Sequence, residues 1–127
     1  MSMSSAPWLS ALTCVIEPAR VITDDAALQS HAAQGVLPTC LVSPRTENEI
    51  AAVLRFAADH KIVVLPRGGG TAQGVGTPPP PHSIVLSTRR FDKLIHHEPG
   101  DMVATAQAGM TLGAFQEALA RNGQFLT

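Results

Sequence analysis

The hydrophobic pattern is clearest between residues 38 and 66, where its spacing changes twice. The apolar run within Pro38–Pro44 is bounded by prolines and predicts a strand. Residues 45–61 follow, and their apolar side chains recur at helical spacing. These side chains are Ile50, Val53, Leu54 and Ala57. The branched run Ile62–Pro66 is typical of a strand buried on both faces. The order predicts a β-α-β unit, a parallel pair of strands with a right-handed crossover.

The two ends of this predicted helix carry separate signals. Thr46 and Glu49 have the spacing of a capping box, in which each side chain bonds a free amide of the first turn. His60 and Lys61 lie at the carboxyl end, where positive charge is favourable. The helix is therefore predicted to fill the segment between the two strands.

A second patterned region begins at residue 83. Ser83–Thr88 predicts another strand. Lys93–Glu98 and Met102–Gly109 flank the turn Pro99-Gly100-Asp101, and together they predict an antiparallel hairpin. The chain is therefore expected to be α+β: a β-α-β unit followed by a mixed sheet with a hairpin and a further helix.

That further helix is predicted to begin at Thr111, a residue that can cap it, and to end near Gly123. Its apolar side consists of Leu112, Phe115, Ala118 and Leu119. The adjacent His96 and His97 lie in a predicted strand, where neighbouring side chains point to opposite faces. They are therefore interpreted as structural histidines and not as ligands of one metal ion.

The amino-terminal part is less regular. Residues 1–20 are poorly patterned, and much of this segment is predicted to be loose. Val21–Thr23 predicts a short extended piece, after which Asp24 or Asp25 can cap a brief helix. We therefore divide the chain into residues 1–20 and a domain at 21–127.

Composition argues against several classes of function. A chain of 127 residues with 45% hydrophobic residues is enough for one domain. Aromatic residues make up 4% and the net charge is −1, which argues against nucleic-acid binding. Cys14 and Cys40 match no metal motif and are expected to be reduced thiols of a cytoplasmic protein. The first basic residue is Arg20, so no secretory signal is predicted, and no apolar run is long enough for a transmembrane segment.

The most unusual stretch is "PRGGGTAQGVG", Pro66–Gly76, in which five of eleven residues are glycine. It follows the carboxyl end of a predicted parallel strand, where α/β sheets bind ligands. Pro78–Pro81 comes soon after and prevents the helix that a Rossmann motif requires. No Gly-Lys-Ser/Thr occurs, which excludes a Walker A loop. Two interpretations remain open: a flexible surface loop, or a nest of backbone amides that binds phosphate.

The residues around this stretch carry a family resemblance. "VVLPRGGGTAQG" resembles the P-x-G-G-G-T-x-x-G signature of FAD-binding domains of the vanillyl-alcohol oxidase / p-cresol methylhydroxylase (PCMH) type. The preceding "SPRTENEIAAVLRFAADHK" and the following "LIHHEPGDMVATAQAGMTLG" also look like that family, and the second stretch is especially similar to FAD-binding subunits of bacterial glycolate oxidases. The resemblance covers roughly residues 20–127.

The resemblance implies a set of cofactor-binding residues. The residues expected to line the FAD pyrophosphate are Gly68, Gly69, Gly70, Thr71 and Gly74, and those expected to flank it are Arg67, Ala72 and Gln73. Some relatives attach flavin covalently through a histidine at the position of Thr71. Threonine cannot do so, and noncovalent FAD is expected.

The resemblance further implies oxidation of a 2-hydroxy acid such as glycolate, with a second flavin subunit and an iron–sulfur subunit as partners. Association with the inner membrane would then be peripheral, through those partners. No catalytic residue and no metal site is assigned. The family's second subdomain is missing, so residues 21–127 are interpreted as an incomplete first subdomain. A truncated, non-catalytic flavin-binding or assembly fragment and a phosphate binder unrelated to flavin remain alternatives.

Overall fold

The computed structural model describes residues 6–127, so the first five residues of the poorly patterned segment lie outside the described part. The helices are α1 (Leu9–Val15), α2 (Asp25–Gln29), α3 (Glu47–Asp59) and α4 (Leu112–Ala120). The strands are β1 (Val21–Ile22), β2 (Cys40–Val42), β3 (Val64–Arg67), β4 (Ile84–Ser87), β5 (Leu94–Glu98) and β6 (Val103–Ala106). The mixed α+β fold class is confirmed.

Strands β1 to β4 form one mixed sheet in the order β1-β2-β4-β3. β1 is antiparallel to β2, whereas β2 and β3 both pair in parallel with β4. The predicted strands around α3 are thus parallel, as expected, but they are not neighbours, because β4 lies between them. Every residue of β2 and β4 is buried, so these central strands form the middle of the core.

The prediction that Ile62–Pro66 forms a strand buried on both faces is wrong. β3 is an edge strand, half-buried, and Pro66 is exposed on it. Proline lacks an amide hydrogen and is tolerated in a sheet where no neighbouring strand needs that donor. The branched residues gave the pattern of a central strand, and the proline was the better indicator of position.

Helix α3 covers one face of this sheet and begins as predicted. The Thr46 hydroxyl accepts a hydrogen bond from the Glu49 amide at 3.2 Å. Val53 and Ala57 are buried, but Leu54 is 44% exposed, and Phe56 takes its place in the core. The predicted helical spacing of the apolar side chains was therefore correct, but one buried position was assigned to Leu54 instead of Phe56.

Helix α1 is the main departure from the sequence-based expectation for residues 1–20. Leu12 is fully buried and Ile16, just after the helix, is 3% exposed. Both side chains lie in the same core cluster as Val42 and Val53. The helix has no side-chain cap, which explains why its start carried no signal in the sequence.

The Leu12→Ala variant is expected to lose about 2–5 kcal/mol of unfolding free energy, because it leaves a cavity where a fully buried side chain was removed. Urea denaturation monitored by circular dichroism measures the loss. Val15→Ala is the matched control, since Val15 is on the same helix and 37% exposed. Equal, small losses in the two variants would show that α1 is not part of the core.

Strands β5 and β6 form the predicted antiparallel hairpin as a separate two-stranded sheet. Helix α4 follows it, and the Thr111 hydroxyl caps the helix by accepting from the Ala114 amide at 3.2 Å. Leu119 is buried as predicted, whereas Leu112, also predicted to lie on the apolar side, is 63% exposed. Gly123 has φ +68°, and the next amide returns to the Leu119 carbonyl, which ends the helix.

The two cysteines differ in their exposure to solvent. Cys40 is buried in β2, and burial raises the pKa of its thiol to about 12, because the charged thiolate is poorly solvated there. Cys14 is exposed on α1. At pH 8 we expect a thiol reagent to titrate one group in the native protein and two in denaturant. Rapid titration of both groups in the native protein would contradict this core.

Candidate functional site

The glycine-rich stretch begins where two parallel strands end. β3 and β4 run side by side, with Arg67 opposite Ser87 in the register. The chain leaves β3 at Gly68 and leaves β4 at Thr88, so both connections start at the same edge of the sheet. This carboxyl edge is where open α/β sheets bind ligands.

Thr88 joins three segments at that edge. Its amide donates to the Arg67 carbonyl at 2.9 Å, and its hydroxyl lies 3.3 Å from the Ala108 carbonyl, to which it donates. Gly68 lies beside the Thr88 hydroxyl and the Ala108 carbonyl, since a Cβ built on Gly68 would be 3.6 Å from each of these oxygens. The start of the glycine loop is therefore held against the segment that follows β6.

Gly109 makes the closest backbone contact of the site. The Phe91 amide donates to the Thr88 carbonyl at 2.8 Å, and the Gly109 amide donates to the Phe91 carbonyl at 2.7 Å. A Cβ on Gly109 would overlap the Thr88 carbonyl oxygen and lie 2.8 Å from the Phe91 oxygen. Gly109 therefore packs against the turn Thr88–Phe91.

The glycine loop itself presents a run of free donors. None of the backbone amides of residues 69–74 donates a hydrogen bond to another described residue. Gly70 has φ +77°, a conformation that side-chain-bearing residues rarely adopt. Consecutive amides in such a conformation make a concave, partly positive surface suited to an anion.

Arg67 was predicted from the family resemblance to flank the pyrophosphate. In the structure its Nη1 donates to the Ser30 carbonyl, just after α2, at 2.7 Å. The ion pair found among residues 6–127 joins Arg20 and Glu17, so pairing with a described carboxylate is excluded. The Arg67 guanidinium lies beside the backbone of Gly70 in the loop.

A cleft of about 210 Å³ lies next to the first two glycines. Its lining consists of Ser30, His31, Arg67, Gly68, Gly69, Ser87 and Arg89. Two guanidinium groups and no carboxylate line it, which favours an anionic ligand. Arg89, two residues after the end of β4, contributes to this lining.

The predicted site residues do not all face the same space. Arg67, Gly68 and Gly69 line the cleft, and Gly70 follows directly. Ala72 and Gln73 instead line a smaller cavity of about 150 Å³, next to Gln34. The remaining two, Thr71 and Gly74, are exposed on the loop. Sequence reasoning missed Ser30 and Gln34, because neither belongs to a motif and only the folded chain brings them to the loop.

Other candidate chemistry does not converge at this edge. His97 Nε2 donates to Gln124 Oε1 at 2.8 Å, and His96 is exposed, in agreement with a structural role. Within residues 6–127 no group of three or more His, Cys, Asp or Glu side chains is placed to hold a metal ion. None of the helices in that range is long and apolar enough to cross a membrane.

A larger apolar cavity of about 540 Å³ lies elsewhere, between the hairpin and α4. Phe115 and Leu119 form one wall, and Met102 and Val103 of the hairpin form the other. No residue of the glycine loop reaches it. Its apolar lining does not suit a phosphate, so the loop and its cleft remain the candidate site.

Comparison with curated proteins finds relatives that act on 2-hydroxy acids by name. The chain is 31% identical over 119 residues to a D-lactate dehydrogenase of Archaeoglobus fulgidus, covering 91% of this chain and 27% of the relative. It is 31% identical over 127 residues to a mitochondrial D-2-hydroxyglutarate dehydrogenase of Bos taurus, covering 96% and 23%. The glycolate oxidase subunit GlcD of Bacillus subtilis is 28% identical over 74 residues, covering 58% and 16%. This chain spans about a quarter of the first two relatives.

Comparison with solved structures confirms the fold. An alkyldihydroxyacetonephosphate synthase matches with a TM-score of 0.76 at 20% identity, covering 97% of this chain and 28% of that one. A substrate-bound p-cresol methylhydroxylase matches with a TM-score of 0.74 at 18% identity, covering 89% and 24%. A family model described as an FAD binding domain matches residues 38–127, which include β2 to β6, α3, α4 and the glycine loop. The chain belongs to the FAD-binding domain family that this model describes.

Proposed function

We propose that the glycine loop holds the pyrophosphate of FAD on its backbone amides, within a flavin-dependent oxidoreductase that acts on a 2-hydroxy acid. The observation that carries this proposal is the run of unbonded amides at residues 69–74, at the carboxyl edge of the parallel strands. Membership of an FAD-binding family identifies the phosphate-bearing ligand that such a run would take. Residues 21–127 would then be the first subdomain of the FAD-binding unit.

The residues fit a diphosphate in shape and charge. Gly70 adopts φ +77°, and at Gly69 a Cβ would meet only the Thr71 side chain, at 4.0 Å, so the main chain is open to close approach. Amide donors and two guanidinium groups offset the negative charge of phosphate. Gly68, Gly69, Gly70, Thr71 and Gly74 would bind, with Arg67, Ala72 and Gln73 at the flanks.

Thr71 supports noncovalent attachment, because its hydroxyl is not a group to which flavin is linked in the resembling family. We expect acid precipitation of a reconstituted chain to release all flavin into the supernatant. Absorbance of the pellet and the supernatant measures the distribution. Flavin that stays in the pellet after washing in denaturant would contradict noncovalent binding.

The redox chemistry would come from bound FAD, which accepts a hydride equivalent from the substrate, while the chain supplies binding and orientation. The substrate class is supported by the printed names of the relatives, which include lactate, 2-hydroxyglutarate and glycolate enzymes. The printed name of one relative, a glycolate oxidase subunit, supports partner subunits. The sequence resemblance implies that they are a second flavin subunit and an iron–sulfur subunit. A cytoplasmic complex, peripheral to the inner membrane through those partners, would follow.

Retention of FAD and competition by ADP test this function. The full chain is mixed with excess FAD, desalted, and its visible flavin band is compared with protein concentration. We expect retained flavin, displaced by ADP but not by adenosine, because ADP carries the diphosphate. Binding of inorganic pyrophosphate with no retention of FAD would favour the alternative of a phosphate binder unrelated to flavin. Retention of FAD with no effect of ADP would place the flavin elsewhere.

A non-catalytic role in flavin binding or assembly is the second candidate. Reduction of bound flavin by D-lactate, D-2-hydroxyglutarate or glycolate, measured as bleaching without oxygen, separates the two. Bleaching by one of these acids supports catalysis, and bound flavin that none of them reduces supports the non-catalytic role.

A further inference from the structure

Both ends of the glycine loop are hydrogen-bonded to one short segment, the connection between α2 and β2 (residues 30–39). At the start of the loop, Arg67 Nη1 donates to the Ser30 carbonyl at 2.7 Å. At its end, Gln34 Nε2 donates to the Gly76 carbonyl at 2.8 Å. These two bonds span sequence separations of 37 and 42 residues, so they are tertiary contacts and not local turns.

The connection is shaped to present Gln34. The Ala33 amide donates to the Val36 carbonyl at 3.0 Å, and the Val36 amide donates to the Ala33 carbonyl at 2.9 Å. Between them, Gln34 has φ +50° and Gly35 has φ +82°. Positive φ at both central residues is the geometry of a type I′ turn, and glutamine is an uncommon residue for it. Its side chain supplies the bond to Gly76, so the turn aims a donor at the loop.

Arg67 shapes the loop as well as bonding to the connection. A Cβ placed on Gly70 would lie 2.6 Å from Arg67 Nε and 2.8 Å from Cζ. The guanidinium thus fills the space beside the Gly70 backbone, and the loop wraps around it. Any side chain at position 70 would require the guanidinium to shift from this place.

We propose that Arg67 and Gln34 are positioning residues that form a two-point clamp on the glycine loop. A loop rich in glycine loses much conformational entropy when it is ordered. The clamp orders the loop during folding, so the entropy cost of ordering it when a ligand binds is smaller. The effect on affinity rests on the proposed function, whereas the effect on loop order does not.

Backbone order measured by NMR tests the clamp without any ligand. In the full chain, Gln34→Ala and Arg67→Met are each expected to lower the order parameters of residues 68–76, to below about 0.6 for the most affected amides. β4 residues should stay unchanged, which shows that the fold is intact. Gln116→Ala and Arg55→Met are the matched controls: Gln116 bonds the backbone of Leu126 instead, and Arg55 is exposed on α3.

A double-mutant cycle tests whether the Arg67 guanidinium orders the loop by packing beside Gly70. Gly70→Ala should disorder the loop strongly in the wild type but much less in Arg67→Met, because the group that its Cβ meets is gone. Gln34→Glu keeps the size of the side chain and removes the donor, and it should disorder residues 74–76 as Gln34→Ala does. Independent effects of the Gly70 and Arg67 substitutions would contradict the packing of the guanidinium beside Gly70.

Affinity for FAD and ADP is then measured on the same variants. Each of Gln34→Ala and Arg67→Met is expected to weaken binding roughly three- to tenfold, the range for one net hydrogen bond. Unchanged loop order in both variants overturns the clamp, whether or not FAD binds. Lower order with unchanged affinity overturns its role in binding. If the wild type binds neither ligand, the proposed function fails, while the order parameters still decide the clamp.

Discussion

Replacing Gly70 with valine is expected to abolish retention of flavin. The backbone at this position has φ +77°, which a β-branched residue adopts only under strain of about 1–3 kcal/mol. The added Cβ would also lie 2.6 Å from Arg67 Nε and drive the guanidinium from its place. Strain and lost contacts together predict a fall in affinity of about a hundredfold or more. Flavin absorbance after desalting, with the dissociation constant by fluorescence, measures the fall.

Gly113→Val is the control for this substitution. Gly113 lies in α4, where a Cβ would meet nothing within 4 Å, and its φ is not positive. This variant should retain flavin as the wild type does. If Gly70→Val retains flavin at the same ratio, the loop does not hold the pyrophosphate in the conformation described.

Replacing Gly109 with alanine is expected to cause the largest loss of stability, more than about 4 kcal/mol, which is exceptional for one substitution. The new methyl group would overlap the Thr88 carbonyl oxygen and lie 2.6 Å from the Thr88 carbonyl carbon. Both obstacles are backbone atoms and cannot rotate aside. The turn Thr88–Phe91 and the segment after β6 would have to separate. Urea denaturation gives the free energy.

Gly113→Ala serves as the comparison, because alanine is better than glycine in a helix by roughly 0.5–1 kcal/mol. It should leave stability unchanged or slightly raised. A loss at Gly109 no larger than about 0.5 kcal/mol would show that the three segments at this edge are not packed as described.

Local patterns predicted most of the elements. The cap at Thr46, the turn at Pro99–Asp101 and the cap at Thr111 lie where the sequence placed them, because each depends on a few adjacent residues. The parallel direction of β2 and β3 also followed from the helix between them. The motif order and its resemblance identified the family before any tertiary contact was known.

Tertiary placement could not be predicted in the same way. Which strand lies between β2 and β3 depends on pairing with β4, which comes later in the chain. Helix α1 has no capping side chain, and its burial depends on distant Val42 and Val53. Gln34 acts on Gly76, 42 residues away, and no local pattern signals that contact.

Titration of the isotopically labelled chain with FAD, followed by amide NMR shifts, tests whether the glycine loop binds this cofactor. Amide shifts are measurable even when binding is weak, so the test does not depend on tight retention. We expect the largest, saturable shifts at residues 68–74, reproduced by ADP, with small shifts at the hairpin strand β6. Saturable shifts that centre on the cavity between the hairpin and α4, or no shift at the glycine loop at saturating FAD, would contradict it.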